Sequence, residues 1–249
     1  MSIWIGYDDR EDAAFAVARE SCRRHMTMPI PVRGLLLSDL QEAGLYRRPI
    51  EYRPSAADRP VMWDVVSDAP QSTMHANARF FLPFLAKEGW AMFCDGDVMF
   101  RSNVVRAFER LDNSKAVYCV KHKHKPAKSV KMDSQVQTKY KRKNWSSVFF
   151  MNMEHSANRA LTIDVLNNTP GRDLHGFFWL ADCDIGELDV SWNWLAGVSD
   201  PEIEPDIVHF TEGVPSMAGY ENAPYAPEWF KWRSDWARGG RLPSVSVTR

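Results

Sequence analysis

The sequence predicts a single α/β domain with a mostly parallel sheet. An apolar strand over residues 2–7, a helix over 11–24 and a second strand over 30–37 form a β-α-β unit at the start of the chain. An acidic turn follows the first strand, which is typical of nucleotide-binding α/β domains, where ligands lie beyond the carboxyl ends of strands. The length of 249 residues suits one such domain, and no linker divides the chain.

The early elements follow from spacing and composition. The first strand ends at Gly6 and an acidic pair, Asp8 and Asp9. The helix over 11–24 carries apolar residues at helical spacing, namely Ala14, Phe15, Ala18 and Cys22. Residues 38–70 are rich in Arg, Pro, Asp and Ser, so we expect a long loop with short elements there.

A helix is expected over residues 72–87, with Ser72 or Thr73 as its cap and a kink at Pro83. Arg79 lies among the apolar residues of this stretch. It is either an arginine that reaches the following aspartates or a phosphate, or a surface arginine whose charged end extends into solvent.

Two carboxylates one residue apart interrupt the apolar run at 91–100. Residues 90–93 predict a buried strand, and Asp95 and Asp97 follow it. Side chains at i and i+2 of a strand end point the same way, so both carboxylates can converge on one ligand. Gly96 leaves room for that ligand to approach the backbone. Paired carboxylate oxygens suit Mg²⁺ or Mn²⁺, although Asp-Gly is also common in ordinary turns.

The second half alternates strands and helices. We expect strands over 116–120, 146–153 and 207–210, and helices over 101–111 and 158–167. An apolar aromatic segment over 174–180 precedes Asp182, which we expect to enter the site from a partly apolar setting; a loop or cap acid is the alternative. The last strand delivers His209. The tail over 220–249 is aromatic and basic, with no strong period up to residue 241.

Charge is concentrated in one segment. The chain as a whole has a formal net charge of -1, which gives no general attraction to polyanions. Residues 121–143, in contrast, hold nine basic residues against the single acid Asp133, a local charge of +8. Such a run is either a solvated loop or a basic lid over a pyrophosphate or polyanionic ligand, and we expect it to be mobile in the free protein.

The four cysteines form no CxxC pair, so they indicate reduced and mostly buried thiols. The first residues carry no basic region followed by a long apolar stretch, and no run approaches the ~18 apolar residues of a membrane span. The sequence therefore predicts a cytoplasmic protein.

Five motifs in one order carry a resemblance. They are Ile-Trp-Ile-Gly-Tyr-Asp at 3–8, Asn-Ala-Arg-Phe-Phe-Leu-Pro at 77–83, Phe-Cys-Asp-Gly-Asp at 93–97, the Ser-Ser-Val strand at 146–152, and Ile-Val-His-Phe-Thr-Glu-Gly at 207–213. Together they resemble a GT-A glycosyltransferase, closest to glycosyltransferase family 8. The resemblance implies a Rossmann-like αβα sandwich, a nucleotide-sugar donor, and a divalent metal, Mn²⁺ or else Mg²⁺.

The resemblance also implies roles for individual residues. Position by position, it places Tyr7 and Asp8 at the donor base, Asp95, Asp97 and His209 at the metal, Asp95, Gly96 and Gly213 beside the donor, and Arg79 and Asp182 as catalytic residues. It favours a UDP-sugar over a GDP-sugar. A metal there would neutralise charge developing on the diphosphate leaving group, and an imidazole ligand suits Mn²⁺ better than Mg²⁺.

Two motifs depart from that family. After Gly213 the chain reads Val-Pro-Ser-Met, where the family has a phosphate-binding lysine turn, so a phosphate cation must come from elsewhere. The Asp-Gln pair common near the sugar is replaced by Asp182-Cys183-Asp184. Both the catalytic acid and the fate of the anomeric configuration therefore stay open.

Two other functions remain open at this point. A nucleotidyltransferase can share the fold and the metal, but the turn after the first strand is acidic and not a basic glycine-rich phosphate loop. A nucleic-acid-binding module could use residues 121–143 and would show steep salt dependence, but it leaves Asp95, Asp97 and His209 unexplained. The acceptor could be a glycan, a lipid-linked glycan or a polyanion such as DNA, and the oligomeric state is not predicted.

Overall fold

The computed structural model describes residues 1–54, 60–122 and 142–239. Its strands are β1 (Ser2–Gly6), β2 (Val32–Leu35), β3 (Ile50–Arg53), β4 (Val61–Asp64), β5 (Ala69–Pro70), β6 (Trp90–Cys94), β7 (Val98–Phe100), β8 (Val117–Cys119), β9 (Val148–Asn152), β10 (Ile185–Glu187), β11 (Trp194–Leu195) and β12 (Ile207–His209). Its helices are α1 (Asp12–His25), α2 (Leu37–Glu42), α3 (Leu82–Leu85), α4 (Val105–Phe108), α5 (Ile163–Asn168), α6 (Gly171–His175) and α7 (Ala226–Gly239).

The central sheet has six strands in the order β10-β8-β9-β6-β1-β2. β1 pairs in parallel with β2 and β6, and β10 pairs in parallel with β8. β9 alone among these six runs antiparallel to its neighbours, β6 and β8. The predicted α/β fold with a mostly parallel sheet is therefore confirmed.

The strands β1, β6 and β9 of this sheet are buried on both faces, which explains their continuous apolar sequences. On one face Phe93 belongs to the same core cluster as Trp4 and Phe149. On the other face Met92 and Ile5 belong to a second cluster, which includes the apolar side of α1. Burying each of these large side chains stabilises the fold by roughly 1.5–3 kcal/mol.

A second sheet has three strands in the order β11-β12-β7, and its strand β7 follows the inner strand β6 of the first sheet along the chain. Only three residues, 95–97, separate β6 from β7, and this short connection carries the two aspartates. β12 runs antiparallel to β7, with His209 opposite Val98. The two sheets therefore meet at the carboxyl end of β6, which is the end where α/β proteins bind ligands.

A third sheet lies in the region predicted as a long loop. β3, β4 and β5 form an antiparallel ribbon, and α2 precedes it. Arg48 and Asp64 make a buried ion pair at 2.5 Å beside the ribbon. Arg48 also donates to the carbonyls of Leu166 and Thr169, which tie the ribbon to α5. The short elements expected in this region are therefore present, but their pairing into a sheet was not predicted, because strands of two to four residues carry little periodic pattern.

The predicted helix over 72–87 is wrong. The structure has turns, a 3₁₀ helix over Ala78–Phe81 and the single-turn helix α3. Side chains take the backbone groups that a helix would use: the amide of Met74 donates to Asp8, and Gln71 Nε2 donates to the carbonyl of Thr73. Pro83 lies in the first turn of α3, where its missing N–H costs nothing, so it begins a helix and does not kink one.

The tail also differs from expectation, because residues 226–239 form the helix α7, which packs against α1. Two other predicted helices are shorter: α4 replaces 101–111, and a 3₁₀ helix followed by α5 replaces 158–167. Most of the basic segment, residues 123–141, lies outside the described residues. Among the described residues, no helix is long and apolar enough to cross a membrane.

Candidate active site

Two carboxylates and one imidazole meet where the two larger sheets join. Asp95 and Asp97 follow β6, and His209 is the last residue of β12. One ligand atom from each of the three lies within 4.8 Å of the others. The amide of Phe210 donates to the carbonyl of Asp97 at 3.0 Å, so the antiparallel pairing of β7 and β12 brings the imidazole to the aspartates.

Asp95 receives two partners through one of its oxygens. His75 Nε2 lies 3.2 Å and Arg79 Nη2 lies 2.7 Å from Asp95 Oδ1. Burial opposes ionisation of Asp95, but the positive charge of Arg79 and the hydrogen bond from His75 hold its pKa well below the usual range. Asp95 is therefore an anion whose other oxygen, Oδ2, faces His209 Nε2 at 3.9 Å.

Arg79 is fixed from several sides. Its Nε donates to the carbonyl of Ala76 and its Nη1 to the carbonyl of Ser146, both at 2.8 Å. Its guanidinium carbon lies 4.8 Å from the ring centroid of Phe93. The side chain is only 6% exposed, so the surface-arginine alternative is wrong. The guanidinium of Arg79 contacts Asp95, which agrees with the alternative in which this arginine reaches the aspartates.

His209 is buried between Asp97 and Asn193. Its Nε2 lies 3.1 Å from Asp97 Oδ1, and its Nδ1 lies 2.9 Å from Asn193 Oδ1. Burial lowers the pKa of His209, but the charge of Asp97 and the hydrogen bond to it raise the pKa by more, with a smaller contribution from Asp95. The net result is a pKa above the ordinary histidine value.

The donor set fits a divalent cation. Asp95 Oδ2, Asp97 Oδ1 and His209 Nε2 supply two hard oxygens and one imidazole nitrogen, a set that suits Mn²⁺. With metal–ligand bonds of about 2.1 Å, two ligands on one octahedral ion stand about 3 to 4 Å apart. His209 Nε2 lies 3.1 Å from Asp97 Oδ1 and 3.9 Å from Asp95 Oδ2, and one ligand atom of each residue lies within 4.8 Å of the others, so these separations fit the ligands of one such ion closely.

Asp8 is buried and already saturated. Its Oδ1 accepts from the amide and Nε of Arg10, and its Oδ2 accepts from Nη2 of Arg10 and the amide of Met74. Burial raises the pKa of Asp8, but these hydrogen bonds outweigh burial and lower it to about 2. The hydroxyl of Tyr7, the neighbouring candidate, donates to Asp12 at 3.2 Å. The structure thus gives Asp8 a positioning role toward Arg10 and the 72–74 turn.

Sequence reasoning missed several residues near the cluster. His75 contacts Asp95, and Asn193 contacts His209. No periodic pattern marks either residue, since His75 lies in a turn and Asn193 in a 3₁₀ helix.

Two further partly buried groups have shifted pKa values. Burial, followed by the charge of Asp97, raises the pKa of Glu11 to about 7. Burial, and then the charge of His209, lowers the pKa of His122 to about 4.

Close backbone approach explains the glycines at this site. A Cβ on Gly96 would lie 2.6 Å from the carbonyl oxygen of Gly6, and a Cβ on Gly6 would lie 2.4 Å from the ring of His75. These two glycines therefore let β1, the aspartate turn and His75 stack together. Gly213 lies apart from this stack, at a small cavity of about 130 Å³ beside Tyr220.

Asp182 lies in an exposed setting. It begins a 3₁₀ helix, its side chain is 88% exposed, and it pairs with Arg142 at 2.5 Å. The partly apolar setting expected from the sequence is wrong. The chain leaves the core directly after the aromatic segment, where Phe177 is fully buried. Arg142 fixes the backbone of residues 176–180 by donating to the carbonyls of Gly176, Phe177 and Leu180.

Several glycosyltransferases are among the solved structures that resemble this chain. The galactosyltransferase LgtC, in complex with donor and acceptor sugar analogues, superposes with a TM-score of 0.58 at 15% identity, over 98% of each chain. The bifunctional glycosyltransferase WbbM superposes with a TM-score of 0.56 at 13% identity, over 93% of this chain. At such identities the likeness shows the fold, which is of the GT-A glycosyltransferase type.

The glycosyltransferase GlyE of Streptococcus pneumoniae TIGR4 gives a TM-score of 0.56 at 11% identity, over 93% of this chain. The chain spans 51% of WbbM and 59% of GlyE, so it corresponds to about half of each. No family model matches the chain.

One relative among curated proteins is much closer in sequence. Protein CDI of Arabidopsis thaliana is 34% identical over 233 residues, which are 91% of this chain and 83% of that protein. Identity at this level over nearly the whole chain shows common descent and not merely a shared fold. The protein belongs to the family of Arabidopsis thaliana Protein CDI.

Proposed function

We propose that the protein is a metal-dependent glycosyltransferase that moves a sugar from a nucleotide-sugar donor to an acceptor. The observation that carries this proposal is the convergence of Asp95, Asp97 and His209 at the carboxyl end of β6, within a GT-A fold. We place the chain in the neighbourhood of glycosyltransferase family 8, on the motif order described above. The donor that we favour is a UDP-hexose.

The chemistry follows from the leaving group. Transfer breaks the bond between the sugar and the diphosphate, and negative charge develops on the diphosphate oxygen. A divalent cation, Mn²⁺ before Mg²⁺, would be held by Asp95, Asp97 and His209 and would neutralise that charge. Arg79 and His75 would keep Asp95 ionised and turned so that Oδ2 faces the cation site.

The donor would lie along the turn after β1. Gly96 and Gly6 allow the backbone of that turn to lie close to the aspartates. Tyr7 would border the base, and Asp8 would act through Arg10, because its own oxygens are already bonded. Gly213 would border the donor from β12, where the cavity beside Tyr220 lies.

Asp182 stays in the proposal as the acid nearest the transferred sugar. Its exposed position and its pairing with Arg142 allow it to reach a ligand without breaking a core contact. Asp182→Asn should lose well over tenfold in turnover while the donor dissociation constant and the melting temperature stay near wild type. If turnover survives, Asp182 belongs only to the surface ion pair, and Asp184 is the next acid to vary.

The test of the proposal is a donor screen without acceptor. Purified protein is incubated with UDP-, GDP- and other nucleotide sugars, with Mn²⁺ or with a chelator, and released nucleotide is measured. We expect hydrolysis of one donor class that needs the metal and disappears in Asp97→Asn. Asp164→Asn is the matched control, since Asp164 is 85% exposed in a surface pair with Arg47.

Metal-independent hydrolysis, or equal rates in Asp97→Asn and wild type, would contradict the proposed function. No hydrolysis of any donor by a folded wild-type protein would also count against it, once the metal and the donor panel have both been varied.

A further inference from the structure

A chain of hydrogen bonds runs from His209 to the backbone of residue 144. His209 Nδ1 lies 2.9 Å from Asn193 Oδ1, Asn193 Nδ2 donates to Ser147 Oγ at 3.0 Å, and Ser147 Oγ donates to the carbonyl of Asn144 at 2.8 Å. The side chains of this chain are shielded from water: Asn193 is 0%, His209 2% and Ser147 7% exposed.

The donor and acceptor of each hydrogen bond follow from the last group in the chain, the backbone carbonyl of Asn144. The carbonyl of Asn144 can only accept, so Ser147 must place its single hydroxyl proton there. The hydroxyl oxygen of Ser147 then accepts from the amide nitrogen of Asn193, which leaves Asn193 Oδ1 facing His209. An oxygen acceptor requires an N–H at Nδ1 of His209. In the neutral ring the lone pair is then on Nε2, which is the nitrogen that faces Asp97.

We propose that Asn193 and Ser147 are positioning residues that fix His209 as the Nδ1–H tautomer, with the Nε2 lone pair directed to a divalent cation. This inference rests on the proposed function, in which His209 is a metal ligand. Histidines that ligate metals commonly donate their other N–H to a fixed acceptor, which sets both the tautomer and the ring orientation. Here the acceptor is an amide oxygen whose own orientation is set by Ser147.

Ser147 also contacts the other side of the site. Its carbonyl accepts from the amide of Asp95 at 2.9 Å, while its hydroxyl orients Asn193. Ser147, the residue immediately before β9, therefore holds the backbone of Asp95 and, through Asn193, orients the ring of His209. Asn144, which ends the chain of bonds, has a left-handed backbone with φ of 64°, a conformation that asparagine tolerates better than most residues.

The experiment compares Mn²⁺ affinity among four variants, measured by the electron paramagnetic resonance signal of free Mn²⁺. Asn193→Ala should bind Mn²⁺ about 10- to 100-fold more weakly, the usual effect of removing such a partner. Asn193→Asp keeps an oxygen acceptor for Nδ1–H and should retain affinity within a few-fold of wild type. Ser147→Ala should lose less than Asn193→Ala, because Asn193 is then free to present either end of its amide.

Ser191→Ala is the matched control. Ser191 lies on the same 3₁₀ helix as Asn193, but its hydroxyl donates to Asp206 at 2.7 Å and does not take part in this chain of bonds. We expect wild-type Mn²⁺ affinity for it. If Asn193 had only a structural role, Asn193→Asp should lower Mn²⁺ affinity at least as much as Asn193→Ala, because a buried aspartate would destabilise the protein at least as much as alanine does.

A second readout uses a diamagnetic cation that imidazole also binds, Zn²⁺. The ¹⁵N spectrum of the Zn²⁺-saturated protein should show an N–H at Nδ1 of His209 in wild type and a weaker Nδ1–H signal in Asn193→Ala. An Nε2–H tautomer in wild type, wild-type Mn²⁺ affinity in Asn193→Ala, or equal losses in the Ala and Asp variants would overturn the inference. If wild type binds no Mn²⁺, the proposed function fails. If wild type binds Mn²⁺ and Asn193→Ala binds it equally well, only this inference fails.

Discussion

Asp95 shows how single residues define this site. Its Oδ1 is taken by Arg79 and His75, so only Oδ2 is directed toward Asp97 and His209. The Asp-x-Asp spacing was enough to predict the pair of carboxylates, because alternation at a strand end is a local property. His75 could not be predicted in the same way, since it reaches Asp95 only through the irregular turns that precede α3.

Removing Arg79 should destabilise the metal-free protein. Arg79→Met keeps the apolar contact with Phe93 but leaves the buried Asp95 carboxylate without its strongest partner, at a cost of about 3 kcal/mol in unfolding free energy. Adding Asp95→Asn to Arg79→Met should recover part of that loss. Urea unfolding in a chelator measures both, and a loss below about 0.5 kcal/mol for Arg79→Met would show that this ion pair does not support the fold.

Glu11 should make stability fall as pH rises. Burial and the nearby charge of Asp97 raise its pKa from 4.5 in the unfolded chain to about 7 in the folded protein. Between these values the folded state holds a proton that the unfolded state has lost, so unfolding free energy decreases with pH. The loss is complete about one pH unit above 7 and, at about 1.4 kcal/mol per unit of pKa, is on the order of 3 kcal/mol.

The measurement for Glu11 is urea unfolding from pH 4 to 8 in a chelator, on wild type and Glu11→Gln. Glu11→Gln should flatten the decline over this window, because glutamine takes up no proton. Parallel pH profiles for the two proteins would show that Glu11 is solvated and titrates normally.

At the scale of elements, the degree of burial determines which strands and helices the sequence predicts correctly. β1, β6 and β9 are buried on both faces, so their apolar runs predicted strands correctly. The stretch over 72–87 looked helical because apolar residues are frequent there, but side-chain hydrogen bonds to the backbone replace the helical pattern. α7 was missed because its buried face consists largely of tryptophans, which occur on both buried and exposed faces of a protein.

α7 should contribute strongly to stability through one residue. Trp229 is fully buried in a cluster with Met99 of β7, the strand that follows Asp97, and Val208 of β12, the strand that ends at His209. Trp229→Ala should therefore lower the unfolding free energy by about 3 to 5 kcal/mol. Phe178→Ala is the control, because Phe178 is 49% exposed, and we expect a much smaller loss there. Thermal unfolding that ranks Phe178→Ala as equally harmful would contradict this packing role.

At the scale of the molecule, the site forms where the central six-stranded sheet and the sheet β11-β12-β7 meet. The carboxyl end of the central sheet supplies the aspartates, and β12 of the second sheet supplies the imidazole, more than a hundred residues later in the chain. The motif order predicted this meeting. The sequence did not predict the hydrogen-bonding environment of the site, because His75, Ser147 and Asn193 lie in three separate segments without a periodic pattern, and only the tertiary fold brings them together.

The most direct test of the central claim is calorimetry of UDP binding with Mn²⁺ and with a chelator. If Asp95, Asp97 and His209 hold a cation that binds the donor diphosphate, UDP should bind in Mn²⁺ and not measurably in the chelator. Asp97→Asn should lose this binding, and the exposed control Asp164→Asn should keep it. UDP and GDP both binding equally well with and without metal, or an Asp97→Asn variant with wild-type affinity, would contradict the account.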